Sequence, residues 1–504
     1  MAEGFCELRA YDGSAPYIFV SYAHKDAGAV LPVLEYLMRR GYNVWYDEGI
    51  TPGADWDDFL ARKIAGCACF LCFASARSVA SAECVKEMRR AIACDRPILN
   101  VFLENVALPA EVAGPMMRIQ GIERWRLASE SDFYLKLLAH HLFDDCLESE
   151  EFLIQGKGLV HYNGTASTIA VPADVEQIGY AAFEGNDQAV VVRIPAAVDR
   201  MGKFAFNDVP RLQRIEVAPG NGFYRSRDGI LFNKAENYLL RYPPARPGSD
   251  YRIPSTVRNV AMVAFAGTRD LRQVAVPPSV TMIGDRCFEA CRNLVAVDLR
   301  ASIDRVRPYT FSRCAGLVEI ALPSGLRAIG DGAFSGCASL SAIELPEGLG
   351  SLGEMAFAYC ESLEAVRVPA GVRAIGEYCF HECASLASVD LGAVEAIGQY
   401  AFKNCEALRE VRFPAGLGTI GRAAFSGCRS LASVELPDAV AVVGDYAFDR
   451  CAALRTVRCG RGLRRIEEGA FAEDGALERV VLPRTVEYVA PGAIPAGVEV
   501  AFLD

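Results

Sequence analysis

The 504-residue sequence predicts two architectures in series, an α/β domain with a parallel β-sheet and a β-rich solenoid of repeats. Residues 16–143 alternate short apolar runs with amphipathic stretches of helical spacing, and later residues repeat one pattern with a period of 23. A chain of this length also exceeds what one compact core accommodates, so at least two parts are expected.

The α/β prediction rests on apolar runs that are nearly continuous and too short for helices. The predicted strands cover residues 17–22, 42–47, 69–75, 97–103 and 116–122, and the predicted helices cover 27–41, 56–67, 83–94 and 131–142. Alternation of buried strands with helices indicates a parallel sheet covered on both faces. Ligands of such sheets bind beyond the carboxyl ends of the strands. That rim comprises residues 21–26, 47–55 and 75–81.

The solenoid prediction rests on columns of identical residues. A phenylalanine recurs every 23 residues, with one step of 22, at Phe265, Phe288, Phe311, Phe334, Phe357, Phe380, Phe402, Phe425, Phe448 and Phe471. A cysteine follows three positions later at Cys291, Cys314, Cys337, Cys360, Cys383, Cys405, Cys428 and Cys451. Such self-similarity is typical of coils that stack their apolar sides on one another.

The placement of the 18 cysteines favours packing over chemistry. One cysteine per coil forms a ladder in which free Cys behaves as a small hydrophobe. A disulfide framework is the alternative, but the sequence starts without a basic segment and apolar stretch of the signal-peptide kind. No rung pairs with a second Cys or His at finger spacing, so no metal site is expected. The C-x-x-C element Cys69–Cys72 falls inside a predicted strand and is better explained by core packing.

The domain boundaries follow from these patterns. Residues 1–15 are predicted to be an N-terminal tail, 144–151 an acidic linker, and 152–502 the solenoid, with an insert near 218–246. In the insert, the runs "GILFN" and "YLLRYP" are predicted to be strands on either side of a "KAEN" turn. The opening "FLIQGKGLVHYNG" and the closing "GVEVAFLD" are expected to cap the coils.

Composition excludes several classes of function. The net charge is −11 and no basic block occurs, so nucleic-acid binding is not expected. No uninterrupted apolar run reaches about 18 residues, so no membrane span is predicted. Together with the missing signal peptide, this predicts a cytoplasmic protein.

The repeats resemble the BspA-type leucine-rich repeat family through the "IG–AF–GC–L" columns, the opening "GKGLVHYNG" and the insert "YRSRDGILFNK". The resemblance covers about residues 152–502 and implies a recognition surface, with an unknown macromolecular ligand and no catalytic residues. Several arginines lie near predicted strands, namely Arg367, Arg412, Arg458, Arg461, Arg464 and Arg465. They form either an anion-preferring patch or an ordinary solvated face.

The first part resembles a bacterial TIR (Toll/interleukin-1 receptor) domain, with a flavodoxin-like sheet, over about residues 15–143. The resemblance rests on "YIFVSYAHKD", "VWYDEGITPGADW" and "SARSVASAECVKEM" in this order. It implies that Glu87, in the S-x-x-C-x-x-E element formed with Ser81 and Cys84, is the catalytic residue of an enzyme that cleaves NAD+. NAD+ would be the substrate, and no further cofactor is implied.

That chemistry suits a single glutamate. Cleavage of the nicotinamide–ribose bond passes through a transition state resembling an oxocarbenium ion, and nicotinamide leaves as a neutral molecule. A carboxylate can hydrogen-bond the ribose hydroxyls and stabilise the developing positive charge. The alternative is that Glu87 is a solvated helix glutamate bridging Lys86 or Arg90.

Other rim residues are assigned to substrate binding. They are Ser21, Tyr22, Asp47, Gly53, Trp56, Ser81 and Cys84. Glu83 stands where many family members carry an aromatic residue that stacks on the substrate, and Trp56 is the candidate replacement. The loop around Gly53 is either a plain turn or, as the resemblance implies, a gate that also joins TIR–TIR contacts.

Two functions from different classes remain open. In the first, ligand binding by the repeats clusters TIR domains, which hydrolyse NAD+ to nicotinamide and ADP-ribose or form a cyclic product, in immune or antiphage signalling. In the second, the TIR domain is a non-enzymatic scaffold or adaptor for other proteins. The acidic residue at Glu83 favours the second.

Overall fold

The computed structural model describes residues 10–47, 56–118, 121–127, 130–138, 140–146 and 151–503. The chain forms two compact units. The first comprises Met1–Thr165, Asp174–Asn186 and Arg200–Ala205, and the second comprises Ala166–Ala173, Asp187–Asp199 and Phe206–Asp504.

The first unit contains a parallel sheet of five strands in the order β2-β1-β3-β4-β5. The strands are β1 Ile18–Ser21, β2 Val44–Trp45, β3 Cys69–Ala74, β4 Ile98–Phe102 and β5 Ile122–Glu123. This is the flavodoxin-like doubly wound order, in which the chain reverses direction across the sheet between β1 and β3. The predicted α/β fold class is therefore confirmed.

Helices connect these strands. They are α1 Ala27–Arg39, α2 Trp56–Gly66, α3 Ala76–Ala80, α4 Ala82–Ala93, α5 Ala110–Met116 and α6 Glu130–Leu138, with 3-10 turns at His24–Asp26, Arg124–Arg126 and His141–Cys146. Helices α3 and α5 were not predicted from the sequence. The strand predicted over 116–122 was wrong at its start, because Met116 ends a helix and is buried beneath the sheet. A short apolar run does not distinguish a strand from a buried helix end.

Alternate strand residues fill apolar layers on the two faces of this sheet. One layer contains Ile18 and Leu71, and the other contains Phe19 and Phe70. Phe19 stacks on Phe70 with ring centroids 5.4 Å apart. The first layer continues to Cys146, which is fully buried and lies within the stretch predicted to be a linker.

The first unit also contains a four-stranded sheet formed by Phe152–Gln155, Gly158–Tyr162, Gln177–Ile178 and Arg200–Met201. Its first two strands form an antiparallel hairpin, and the following strands pair in parallel. The hairpin coincides with the segment predicted to cap the coils.

The second unit is built from short strands that pair with the equivalent strands of neighbouring coils. Its sheets contain Thr168–Ala170, Val191–Ile194 and Arg214–Val217; Tyr224–Arg227, Ile230–Asn233, Tyr238–Arg241, Asn259–Val260 and Met282–Ile283; Asp250–Arg252, Gln273–Val276, Ala296–Leu299 and Glu319–Ile320; Arg305–Val306, Ala328–Ile329 and Ser351–Leu352; Ala365–Arg367, Ser388–Asp390 and Glu410–Arg412; Ala374–Ile375, Ala396–Ile397, Thr419–Ile420, Val442–Val443, Arg465–Ile466 and Tyr488–Val489; and Ser433–Glu435, Thr456–Arg458, Arg479–Leu482 and Glu499–Phe502.

The predicted columns form the core of this unit. From Phe265 to Phe471, consecutive phenylalanine rings stack with centroids 4.8–5.6 Å apart. The eight column cysteines are free and fully buried. Each thiol donates a hydrogen bond of 3.0–3.4 Å to the carbonyl oxygen of the phenylalanine in the preceding coil. The predicted repeat solenoid and its interior cysteine ladder are confirmed.

The insert is a β-structure, as predicted. Ile230–Asn233 and Tyr238–Arg241 pair antiparallel on either side of the "KAEN" turn. A further strand, Tyr224–Arg227, was not predicted and also pairs antiparallel with Ile230–Asn233. Its alternating exposed and half-buried polar residues conceal it from a search for apolar runs.

Two of the predicted surface arginines, Arg367 and Arg412, pair with acidic neighbours. Arg367 lies 3.2 Å from Glu347 and 3.6 Å from Asp390, and Arg412 lies 2.9 Å from Glu410. Exposed pairs of this kind contribute little to stability. They favour the solvated face over the anion-preferring patch for these two arginines.

In the part of the chain that the structure describes, no helix combines the length and apolar character that a bilayer crossing requires.

Candidate functional site

The candidate site is at the carboxyl end of the parallel sheet, where β1 and the start of α4 come together. Ser21 ends β1 and lies opposite Cys72 of β3 in the register. Ser81 caps the amino terminus of α4, because its hydroxyl oxygen accepts a hydrogen bond of 3.4 Å from the Cys84 backbone N–H. This cap starts the helix at a position that places Glu87 over the end of the first strand.

The Glu87 carboxylate is held by β1. The Ser21 hydroxyl donates a hydrogen bond of 2.5 Å to Glu87 Oε2, across 66 residues of sequence. Ser21 is 2% exposed, and Glu87 is half-buried. Hydrogen bonds to an ionised carboxylate are short and strong, and a buried donor has few other positions available. The contact fixes the carboxylate at the rim of the sheet.

The environment raises the pKa of Glu87 to about 7. Burial is the largest cause, because it disfavours the charged form. The hydrogen bond from Ser21 opposes the shift, and the negative charges of Asp47 and Glu83 add to it. The carboxyl group therefore changes its charge near neutral pH.

The neighbouring basic side chains of α4 are directed elsewhere. Lys86 Nζ lies 2.5 Å from Asp57 Oδ2 on α2, and Arg90 Nη2 lies 3.8 Å from the same oxygen. Glu87 instead accepts its hydrogen bond from Ser21. This geometry disfavours the alternative in which Glu87 is a solvated residue that forms an ion pair with Lys86 or Arg90.

Asp47 and Tyr22 lie on the same side of the sheet, after β2 and β1. Asp47 Oδ2 is 3.5 Å from Nε2 of His24, whose ring is 5.8 Å from that of Tyr22. Burial, together with Tyr46 and Asp47, raises the pKa of Tyr22, which stays protonated at neutral pH. The predicted residues Ser21, Asp47 and Glu87 are thus electrostatic neighbours, and Tyr22 adjoins Asp47.

A second polar contact at this rim was missed by the sequence analysis. Asp26, which is 8% exposed, accepts hydrogen bonds of 2.5 Å from Ser75 Oγ and 2.8 Å from Arg77 Nη1. The contact joins the segment after β1 to the segment after β3. A signal was present, since Asp26 and Ser75 both lie in segments assigned to the rim, residues 21–26 and 75–81. Nothing in the sequence indicated that they pair.

The remaining predicted site residues have different surroundings. Trp56 stacks on Phe59 with centroids 5.6 Å apart, which covers one face of the indole. Cys84 is 5% exposed and packs in the apolar layer beneath α4, and burial raises its pKa. Gly53 lies outside the described residues. Substrate contacts by these three residues stay predictions.

In the described ranges, no group of three or more His, Cys, Asp or Glu side chains is arranged to hold a metal ion. The rim instead offers hydroxyl groups, carboxylates and one cap-ordered helix. These groups can hydrogen-bond sugar hydroxyls and stabilise a positive charge.

Comparisons with known proteins identify both parts of the chain. Residues 18–138 match the family described as TIR domain. Residues 159–227, 248–364, 305–402 and 373–494 match the family described as BspA type leucine-rich repeat region, which covers more than half of the chain. None of the curated proteins matches the sequence.

Solved structures similar to this chain include bacterial repeat proteins. A leucine-rich repeat protein from Bacteroides ovatus is 24% identical, with 71% of this chain and 97% of the other covered and a TM-score of 0.49. A leucine-rich cell surface protein from Faecalibacterium prausnitzii is 20% identical, with 70% and 95% covered and a TM-score of 0.38. The pneumococcal vaccine antigen PcpA is 16% identical, with 71% and 93% covered and a TM-score of 0.42. The family matches, rather than these likenesses, establish that the chain belongs to the BspA-type leucine-rich repeat proteins and carries a TIR domain at residues 18–138.

Proposed function

We propose that the TIR domain is an NAD+ glycohydrolase in which the Glu87 carboxylate acts on the ribose next to nicotinamide. The hydrogen bond of 2.5 Å between Ser21 and Glu87 carries this proposal, because it holds a titratable carboxylate at the edge of a parallel sheet where ligands bind. A perturbed pKa at such a position is a general indication of function.

The chemistry follows from the leaving group. The nicotinamide–ribose bond breaks with its electron pair going to the ring nitrogen, which becomes neutral, so departure requires no proton donor. The ribose carbon becomes electron-deficient, and an ionised Glu87 stabilises that charge through the ribose hydroxyls. Water then attacks the same carbon and loses a proton, which gives ADP-ribose. Attack by an adenine ring nitrogen of the same molecule, followed by loss of a proton from the adenine, gives a cyclic product instead.

The positive pyridinium group of NAD+ itself favours the reactive form. The free site raises the pKa of Glu87 to about 7, so the carboxyl is only partly ionised at neutral pH. A cation bound nearby lowers that pKa, because the opposite charge stabilises the carboxylate. Arg90 acts in the same direction. Substrate binding therefore charges the group that the reaction needs.

The remaining rim residues are assigned to substrate binding. Tyr22 and Asp47 offer a hydroxyl and a carboxylate to ribose or amide groups, and Trp56 offers the face of its indole that Phe59 leaves open. Ser81 orders the start of α4. Ser21 acts by positioning Glu87.

We place this activity in a sensor that works by self-association. Ligand binding by the repeats gathers TIR domains, and contacts between neighbouring TIR domains complete the site. Loss of NAD+ or release of a signalling nucleotide then suits an immune or antiphage role.

The test measures nicotinamide release from NAD+ by the purified full-length chain, with chromatography as the readout. The protein concentration is increased stepwise, with and without a crowding agent. We expect the rate per molecule to rise with concentration, and Glu87→Ala to abolish release under every condition. Equal release by the wild type and Glu87→Ala would remove Glu87 from the mechanism. Release per molecule that stays constant with concentration would remove the clustering step.

One observation favours a TIR scaffold without activity. Glu83 lies exposed in the first turn of α4, four residues before Glu87, and its negative charge raises the pKa of Glu87. It therefore opposes ionisation of the proposed catalytic group. Cellular NAD+ separates the two functions: under expression that clusters the protein, NAD+ falls for the enzyme and stays constant for the scaffold.

A further inference from the structure

The repeat unit contains a hollow of about 440 Å³ whose rim is basic and whose floor is apolar. Arg227, Arg252 and Arg300 line it together with one carboxylate, Asp298. The volume is in the range of pockets that hold a small ligand or a few residues of a peptide. A concentration of arginines is notable in a chain whose net charge is −11.

The three arginines are not equally neutralised. Arg300 Nε lies 2.9 Å from both carboxylate oxygens of Asp298, so this pair is satisfied internally. Arg227 lies 3.5 Å from Glu236, but Glu236 also pairs with Arg225 at 2.9 Å. One carboxylate is thus shared by two guanidinium groups.

Arg252 provides the main surplus of charge. Among the residues that the structure describes, no ion-pair partner of Arg252 lies within 4.0 Å. The pKa of the Asp298 carboxyl is lowered by its hydrogen bond with Arg300, and further by the charges of Arg300 and Arg252. Arg252 therefore lies close enough to act on this carboxylate without pairing with it. The rim carries a net positive charge.

The floor of the hollow is apolar and rigid. It is formed by Pro254, Pro277 and Pro278, and Ile253 and Val276, each 1% exposed, are buried in the core beneath them. Proline has a fixed backbone φ and no N–H donor, so these residues present an apolar surface that keeps its shape. An anionic group attached to an apolar body fits a cationic rim over such a floor.

The hollow also coincides with the interruption of the repeat. Arg227 ends the strand Tyr224–Arg227 of the insert, whereas Arg252 ends a strand of the regular coils. The insert therefore contributes one wall of the hollow. The repeat pattern alone accounts for neither this wall nor its charge.

We propose that this hollow binds an acidic peptide segment of a partner protein, with a carboxylate held by Arg252 and Arg227 and an adjacent apolar side chain against the proline floor. Guanidinium groups bind carboxylates through paired hydrogen bonds. Asp298 and the proline floor disfavour a polyphosphate chain such as a nucleic acid, because its closely spaced negative charges would meet a carboxylate and a mainly apolar surface.

The test uses fluorescence anisotropy with the full-length chain and a fluorescein-labelled peptide of sequence Glu-Phe-Glu-Leu. Its control is the same peptide with both glutamates replaced by glutamine. We expect saturable binding of the acidic peptide, at least about tenfold weaker binding of the glutamine peptide, and a similar loss for Arg252→Glu, since each change removes a charge-assisted hydrogen bond.

Arg412→Glu is the matched control variant, because Arg412 is an exposed arginine of the same unit that already pairs with Glu410. Its binding should stay within about twofold of the wild type. Arg252→Gln provides a milder variant, and circular dichroism verifies the fold of all three. The proposal is overturned by an absence of saturable peptide binding, by equal losses in Arg252→Glu and Arg412→Glu, or by Arg252-dependent binding of a labelled single-stranded oligonucleotide in place of the peptide.

Discussion

Two carboxylates, one in each unit, have raised pKa values for the same main reason but lie in different surroundings. Glu87 is half-buried at the rim of the α/β sheet, where Ser21 donates a hydrogen bond to it. Asp474 is 2% exposed and stands three residues after Phe471, where earlier coils carry the column cysteine. Burial is the largest cause in both, and it raises the pKa of Glu87 to about 7 and that of Asp474 to about 8.

The surroundings distinguish them. Asp474 Oδ1 accepts a hydrogen bond of 2.6 Å from the Cys451 N–H, and within the described chain its buried Oδ2 has no hydrogen-bond partner. It replaces one rung of a packed column. Glu87 instead lies beyond the ends of strands, beside Asp47. A raised pKa therefore does not define a functional site by itself, and the position relative to the sheet supplies the distinction.

The largest effect on stability is expected from the phenylalanine column of the repeats. Phe357 is fully buried between Phe334 and Phe380, with ring centroids 5.3 and 5.5 Å away. Phe357→Ala should lower the free energy of unfolding by about 3–5 kcal/mol, because it removes buried area and leaves a cavity. Urea unfolding followed by circular dichroism measures the loss. Tyr359→Ala, at a side chain 42% exposed, should change it by less than about 1 kcal/mol. Similar losses of unfolding free energy in both variants would contradict a core built on the phenylalanine column.

A smaller effect, dependent on pH, is expected from Asp474. Its folded-state pKa is raised, so the native protein keeps a proton that the unfolded chain releases. The resulting stability is fully present below the unfolded pKa of about 4 and is lost as pH rises through about 8. The free energy of unfolding of the wild type should thus fall by on the order of a few kcal/mol between pH 5 and 8, and that of Asp474→Asn should not show this fall. Denaturant midpoints at both values measure this, and parallel pH dependence of the two proteins would show that Asp474 is not the titrating group.

The smallest effect is a shift of the pH profile of NAD+ cleavage. Because Glu87 must be ionised, the rate should rise with pH and reach half its maximum near the Glu87 pKa. The hydrogen bond from Ser21 lowers that pKa, whereas the charge of Glu83 raises it. Ser21→Ala should therefore move the midpoint upward by about one unit, and Glu83→Gln should move it downward. If the midpoints of the kcat/KM profiles coincide in the wild type and both variants, Glu87 is not the group whose ionisation sets the pH dependence.

Most of the fold was predictable because it repeats or alternates. The column from Phe265 to Phe471 could be identified from the sequence because the same residue recurs at the same position of every coil. The central strands were predicted because buried parallel strands are continuously apolar. The short helix α3 and the strand Tyr224–Arg227 were missed because a capping serine and polar alternation give weak local signals.

The candidate site was predictable only as a set of residues. Ser81, Cys84 and Glu87 were found through a motif that spans the start of α4, but the partner of Glu87 is Ser21, 66 residues away. The contact between Asp26 and Ser75 is likewise long-range and was not foreseen. A single sequence indicates which polar residues follow strands, whereas the sheet order decides which of them meet.

Catalysis by Glu87 is tested most directly by comparing Glu87→Gln with Glu83→Gln in nicotinamide release from NAD+ under clustering conditions. Both variants remove one negative charge from the same helix, one turn apart, and keep the shape of the side chain. The account predicts at least about a 10²-fold loss for Glu87→Gln, the scale of removing one transition-state stabilising group, and a rate within about threefold of the wild type for Glu83→Gln. Wild-type rates in Glu87→Gln, or equal losses in both variants, would contradict it.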